Sequence, residues 1–95
     1  MEISIEDIMN NKYKNIIDIR DYSSYIKGKI LDAKYINKYL LLNKPEKYLN
    51  KNDDYYIYCE KGKQSRSVCL KLRLLGYKVK HISGGYSSYL DYINK

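Results

Sequence analysis

Short apolar runs alternate with polar, turn-forming stretches along the whole chain, and each run predicts one element. Ile3, Ile5 and Ile8 point to a brief strand running into a helix from about Ser4. Ser4 followed by Asp7 offers that helix a cap and an acid in its first turn. Asn15–Arg20 is a β-branched run bounded by polar residues, the pattern of a buried strand. Asp21 can cap a short helix through Tyr25 and Ile26, which Gly28 stops. Ala33–Asn37 reads as another short strand, and Tyr39–Leu49 as helix interrupted or restarted at Pro45. Beyond a turn at Asn50–Asp54, Tyr55–Tyr58 is the next strand. Ser65–Leu75 places Val68, Cys69, Leu72 and Leu75 on one helical face, with Leu70 and Leu74 beside it and Gly76 as the stop. Lys78–Ile82 alternates as a strand, Gly84 and Gly85 break it, and Tyr86–Ile93 closes the chain as a helix.

Strands alternating with helices imply crossover connections and a mostly parallel α/β sheet with helices on both faces. Ligands of such sheets bind beyond the carboxyl ends of the strands, where Cys59 falls. Ninety-five residues make one domain, 1–95, large enough for a single core.

Composition changes this picture little. The net charge of +7 raises the question of a nucleic-acid partner, which would show as strongly salt-dependent retention on DNA or RNA. Lys, Tyr, Ile and Asn, however, make up 48 of the 95 residues, a skew that AT-rich coding produces without selection for a partner. The lysines are dispersed and only three arginines occur, so no nucleic-acid partner is expected. No apolar run, Tyr39–Leu42 included, approaches the ~20 residues of a membrane span. Glu2, Glu6 and Asp7 occupy the place of a signal peptide's basic region, so a cytoplasmic monomer without membrane contact is the expectation. Two cysteines ten residues apart and one histidine are too few for a usual metal site, and neither metal nor organic cofactor is expected.

The segment Tyr55–Val68 carries the chemistry. A short strand ends on Cys59, a six-residue loop containing Gly62, Lys61 and Lys63 follows, and a helix begins at serine. That order sets one thiol among backbone N–H groups, beside a helix N-terminus and two ammonium groups, all of which favour thiolate over thiol.

Four stretches in order resemble those of single-domain rhodanese-like sulfurtransferases. They are Ile16–Asp21, Tyr25–Ala33, the loop Tyr58-Cys59-Glu60-Lys61-Gly62-Lys63-Gln64-Ser65, and Gly76-Tyr77 with Ile82–Tyr89. The resemblance implies a five-stranded parallel sheet and a sulfane sulfur carried on Cys59 as a persulfide. Cys59 would be the catalytic residue, with Glu60, Lys61, Gly62, Lys63, Gln64 and Ser65 supplying the surrounding amides and the substrate site. The donor would be a small anion such as thiosulfate, or a protein persulfide. The acceptor would be cyanide or a thiol or dithiol, a protein included. The chain departs from the family pattern at Lys29, where histidine is usual, at Ser24, where glutamate is common, and at Tyr89, where tryptophan is usual. Gln64 replaces a frequent arginine, and Glu60 sets a negative charge beside the nucleophile. These last two support an alternative, a catalytically weak rhodanese-like module that binds a protein partner.

Cysteine phosphatases need an arginine six positions after the nucleophile. Here Ser65 stands at that position and Arg66 comes one residue late. Cys69 and His81 read as packing residues, and Asp18 with Arg20 as groups that order the sheet's edge and its neighbouring loop.

Overall fold

The computed structural model describes residues 1–95. Five strands and five helices follow one another: β1 (Glu2–Ile3), α1 (Ile5–Asn10), β2 (Ile16–Asp18), α2 (Tyr22–Lys27), β3 (Lys34–Tyr35), α3 (Lys38–Asn43), β4 (Asp54–Tyr58), α4 (Lys63–Leu74), β5 (Lys78–Ile82) and α5 (Gly85–Ile93). Pro45–Lys47 forms one 3₁₀ turn after α3, so proline restarts the chain as a tight turn instead of a second α-helix. Apart from that turn, every expected element is present and of the type the periodicity predicts. The sheet order is β1-β5-β4-β2-β3, and all four strand pairs are parallel.

Two apolar clusters cover the two faces of the sheet. One joins Ile17, Ile19, Ile57 and Val79 to Leu41 of α3 and to Val68, Cys69 and Leu72 of α4. The other joins Ile16, Tyr58 and Ile82 to Ile5 and Ile8 of α1, with Tyr86 and Tyr89 of α5 packed against it. Because side chains alternate along a strand, β4 sends Tyr55, Ile57 and then Cys59 toward the α4 side, and Tyr58 toward the other. That two-residue period aims the thiol at the start of α4.

The start of α4 lies earlier than its serine suggests. Gly62 adopts the left-handed conformation (φ 97°) and turns the loop directly into a helix at Lys63. Ser65 therefore sits in the first turn, where backbone N–H groups have no partner within the helix. At the other end Leu75 is 53% exposed, because the chain leaves the helix there. The N–H of Gly76 bonds to the Arg73 carbonyl and that of Tyr77 to the Leu72 carbonyl, closing the helix as a Schellman turn.

His81 is a structural residue, as expected, but it has an acid partner that the sequence did not suggest. The β1–β5 register sets Glu2 opposite His81, and the Glu2 carboxylate lies 3.3 Å from Nε2. Burial pushes the imidazole below its ordinary 6.5; the exposed Glu2 and the Met1 carbonyl oppose this without offsetting it. The folded chain thus resists a proton that the unfolded chain accepts. Stability should fall as pH drops through 6.5 and level off below the folded value. Urea melts between pH 8 and 5 should show that slope, and His81→Asn should flatten it.

Candidate active site

The chain order reverses direction between β2 and β4: from β2 it moves outward to β3, and from β4 it moves the other way to β5. Loops leaving the carboxyl ends of such neighbours splay apart and open a crevice. A cleft of about 670 Å³ lies there, lined by residues following β2 (Ile19–Asp21), β3 (Asn37–Tyr39) and β4 (Cys59–Lys61), with Lys63 and Gln64 of α4.

Cys59 lies at its base, 4% exposed. The Gly62 N–H points at Sγ with N 3.1 Å away, and the Ser65 N–H does so at 3.3 Å. The Ser65 hydroxyl lies 3.4 Å from Sγ and donates to the Gly62 carbonyl at 3.2 Å. Of the loop amides expected to surround the sulfur, two therefore reach it. Glu60, Lys61, Lys63 and Gln64 line the cleft walls instead. Lys61 and Lys63 are exposed and supply positive charge to the rim rather than contacts to the thiol.

The amides face inward because the carbonyls are held elsewhere. The Cys59 carbonyl accepts from the Tyr86 N–H at 2.9 Å, and the Glu60 carbonyl from the Ser87 N–H at 3.0 Å. Both donors lie in the first turn of α5, where a helix has spare N–H groups. This docking needs glycine at 85: its φ is 59°, and a Cβ there would collide with the Cys59 carbonyl oxygen.

A second buried assembly supports the β2 side. Arg20 hydrogen-bonds both oxygens of Asp18, with the shortest contact at 2.7 Å. Its Nη2 also donates to the Gly28 carbonyl at 2.6 Å, and its guanidinium lies 3.9 Å from the Tyr86 ring centroid. Burial works against this charge, yet hydrogen bonds and attraction from Asp18 raise the guanidinium above its ordinary value. The Tyr58 hydroxyl donates to Asp18 Oδ2 at 2.6 Å and accepts from the Ile30 N–H at 3.0 Å. Burial, then the bond to Asp18, pushes that phenol up. No buried side-chain nitrogen or oxygen is left unpartnered.

Asp18 and Arg20 do order this region, but from an interior strand, since β1 and β3 form the sheet's edges. Arg20 also reaches the cleft, with Nη1 3.4 Å from Glu60 Oε2. Glu60 is consequently drawn toward Arg20 rather than left free beside the sulfur. The sequence reading missed Asn37, Lys38 and Tyr39 as cleft residues; the available signal was their place directly after a parallel strand. Arg66 does not line the cleft, and the one guanidinium that does belongs to Arg20, which is committed to Asp18 and the Gly28 carbonyl. Cys69 packs in the core at 1% exposure, and burial pushes its thiol up to about 12.

Such a sheet, with a strand-end cysteine at the reversal of strand order and amides curled around its sulfur, defines an α/β domain built to present one thiol. The chain belongs to the Rhodanese-like domain family, whose profile matches residues 4–92. Solved structures agree. A rhodanese-like domain protein from Staphylococcus aureus is 28% identical, with 94% of this chain and 91% of that chain covered at a TM-score of 0.82. A rhodanese-related protein from Thermoplasma volcanium is 25% identical, with 96% and 91% covered at a TM-score of 0.85. Reduced CoADR-RHD from Bacillus anthracis is 27% identical at a TM-score of 0.79; 93% of this chain is covered, but it spans only 16% of that protein. No match to a curated protein was found. No helix is long and apolar enough to cross a membrane.

Two predictions follow from this packing. Gly85→Ala should cost about 2 kcal/mol or more, since it strains a left-handed backbone and displaces the loop. Denaturant melts measure the loss. Brief iodoacetamide treatment of the native protein, read by peptide mass mapping, should modify Cys59 and spare Cys69 until the protein is unfolded.

Proposed function

We propose that the protein is a sulfurtransferase that carries sulfane sulfur as a persulfide on Cys59. The observation that carries this reading is the pair of N–H groups at 3.1 and 3.3 Å from Sγ, at the base of an open cleft with a basic rim. Donors so placed stabilise an attacking thiolate, and the adjoining rim cations attract an anionic sulfur donor.

The reaction divides into two displacements. The Cys59 thiolate attacks the outer sulfur of thiosulfate; the new S–S bond forms as the old one breaks, and sulfite departs with its electron pair. A protein persulfide can serve as donor in the same way, releasing its cysteine thiolate. An acceptor thiolate or cyanide then attacks the terminal sulfur, and Cys59 leaves as thiolate. The same loop amides would stabilise the anionic terminal sulfur of the persulfide. The Ser65 hydroxyl can turn from the Gly62 carbonyl toward the sulfur as charge develops there.

Glu60 and Gln64 favour the alternative of a module with little turnover. The pairing of Glu60 with Arg20 reduces that objection, because the carboxylate is partly neutralised at the cleft wall.

Intact mass spectrometry after exposure to thiosulfate tests the reading. Wild-type protein should gain one sulfur located on Cys59, lose it to dithiol or cyanide, and gain none as Cys59→Ser. Absence of an adduct with thiosulfate and with a persulfide donor would overturn sulfur transfer and leave the binding module. Glu60→Gln should speed thiosulfate capture roughly two- to fivefold, the effect of removing an exposed charge interaction of about 0.5–1 kcal/mol. Single-turnover kinetics at low salt measures it.

A further inference from the structure

The cleft holds far more space than a small inorganic anion fills, about 670 Å³. One wall continues outward as an apolar surface. Tyr39 is 71% exposed and lines both the cleft and a neighbouring depression formed with Leu40, Leu42 and Asn43. Leu40 is 54% exposed. Core packing explains neither side chain, since α3 is anchored by Leu41, which is fully buried. Isolated exposed apolar residues are ordinary. Here Tyr39 lines the cleft with Lys38, Lys61 and Lys63, and Leu40 continues that apolar surface in the adjoining depression.

We infer that the acceptor is a cysteine on a protein segment with acidic residues near the thiol and an apolar side chain that seats on Tyr39 and Leu40. This inference rests on the sulfurtransferase reading and names its acceptor class. The basic rim selects acidic flanks and steers their approach. It disfavours a second copy of this chain, which carries the same +7. An apolar anchor beside the cleft adds affinity that a small thiol cannot use. In the transfer, the partner's thiolate attacks the terminal sulfur of the Cys59 persulfide. The Cys59 Sγ–S bond breaks as the new S–S bond forms. Cys59 leaves as thiolate, and the persulfide proton travels with the transferred sulfur.

The probes are two short synthetic peptides and N-acetylcysteine. One peptide carries a cysteine flanked by Asp, Glu and Leu; the other has Lys in place of the acids. The rate at which each removes sulfur from the loaded protein is measured by timed intact mass spectrometry and corrected for thiolate fraction. The acidic peptide should react about tenfold faster than N-acetylcysteine, equivalent to one decade in affinity. The lysine peptide should show no such gain. Tyr39→Ser and Leu40→Asn should each reduce the acidic peptide's advantage severalfold, and added salt should also reduce it. A fluorescent version with serine in place of cysteine should bind the unloaded protein and lose affinity with the same substitutions.

Equal thiolate-corrected rates for all three acceptors overturn the inference, as does an advantage that survives both substitutions. Self-association through this face, or tighter competition by a single-stranded RNA, would assign the surface to another occupant and overturn it too. Failure of Cys59 to load sulfur counts against the sulfurtransferase reading alone, because peptide binding to the unloaded protein is read separately.

Discussion

The N-terminal turn of α5 sets the direction of the loop that follows Cys59. Its Tyr86 and Ser87 amides take up the carbonyls of Cys59 and Glu60, two residues that leave the sheet together. Peptide planes are rigid, so holding these carbonyls against α5 restricts how the next amides can turn. Reversing the loop would strand N–H groups of α5 and carbonyls of the loop in a buried setting. Each unsatisfied group would cost about 1–3 kcal/mol. The inward amides at Gly62 and Ser65 therefore depend on a helix more than twenty residues further along the chain.

Arg20 shows why charges at the cleft have different duties. Its guanidinium is buried and spends its donors on Asp18 and the Gly28 carbonyl, with the Tyr86 ring against it. Removing a partner from a buried pair costs about 3–5 kcal/mol, far more than an exposed anion would return. Arg20 consequently stays in place and presents only Nη1, toward Glu60. The mobile positive charge at the cleft is that of Lys61 and Lys63, whose exposed ammonium groups can move without unpairing the core. The absence of arginine at 64 fits that division: Gln64 lies on the rim and accepts from Lys38 at 3.3 Å.

Local signals in the sequence reported the elements well where one force dominated. The isoleucines of β2, the alternation of β5 and the glycine after α4 each had a single physical reading, and the structure agrees. The stretch at 58–65 led to the expectation of amides around Cys59, and those of Gly62 and Ser65 do reach its sulfur. Long-range relations were not legible. Glu2 meets His81 only through strand register, and no local pattern encodes that pairing. Arg20 read as an ordering residue because its sequence neighbours give no sign that β2 and β4 diverge around a cleft. The onset of α4 was misplaced because Ser65 is a good cap by type, whereas Gly62 makes the turn through its backbone. With the helix starting at Lys63, Ser65 stands in its first turn, and its N–H, expected among the amides around the sulfur, does reach Sγ.

The two cysteines isolate what makes the candidate site distinct. Both belong to the same apolar cluster, one 4% and the other 1% exposed, so accessibility alone hardly separates them. Burial disfavours a thiolate, and at Cys69 no N–H donor compensates: its thiol is driven up to about 12. Cys59 has the same hydrocarbon behind it but sits at the strand's end, where the chain curls and two amides converge on sulfur. The difference arises from geometry, because a mid-helix residue such as Cys69 is surrounded by N–H groups already bonded to carbonyls one turn back. Only the junction of strand, loop and helix N-terminus has donors to spare. The fold therefore gives the sulfur of residue 59 hydrogen-bond donors that residue 69 lacks, and residue 69 is suited to packing.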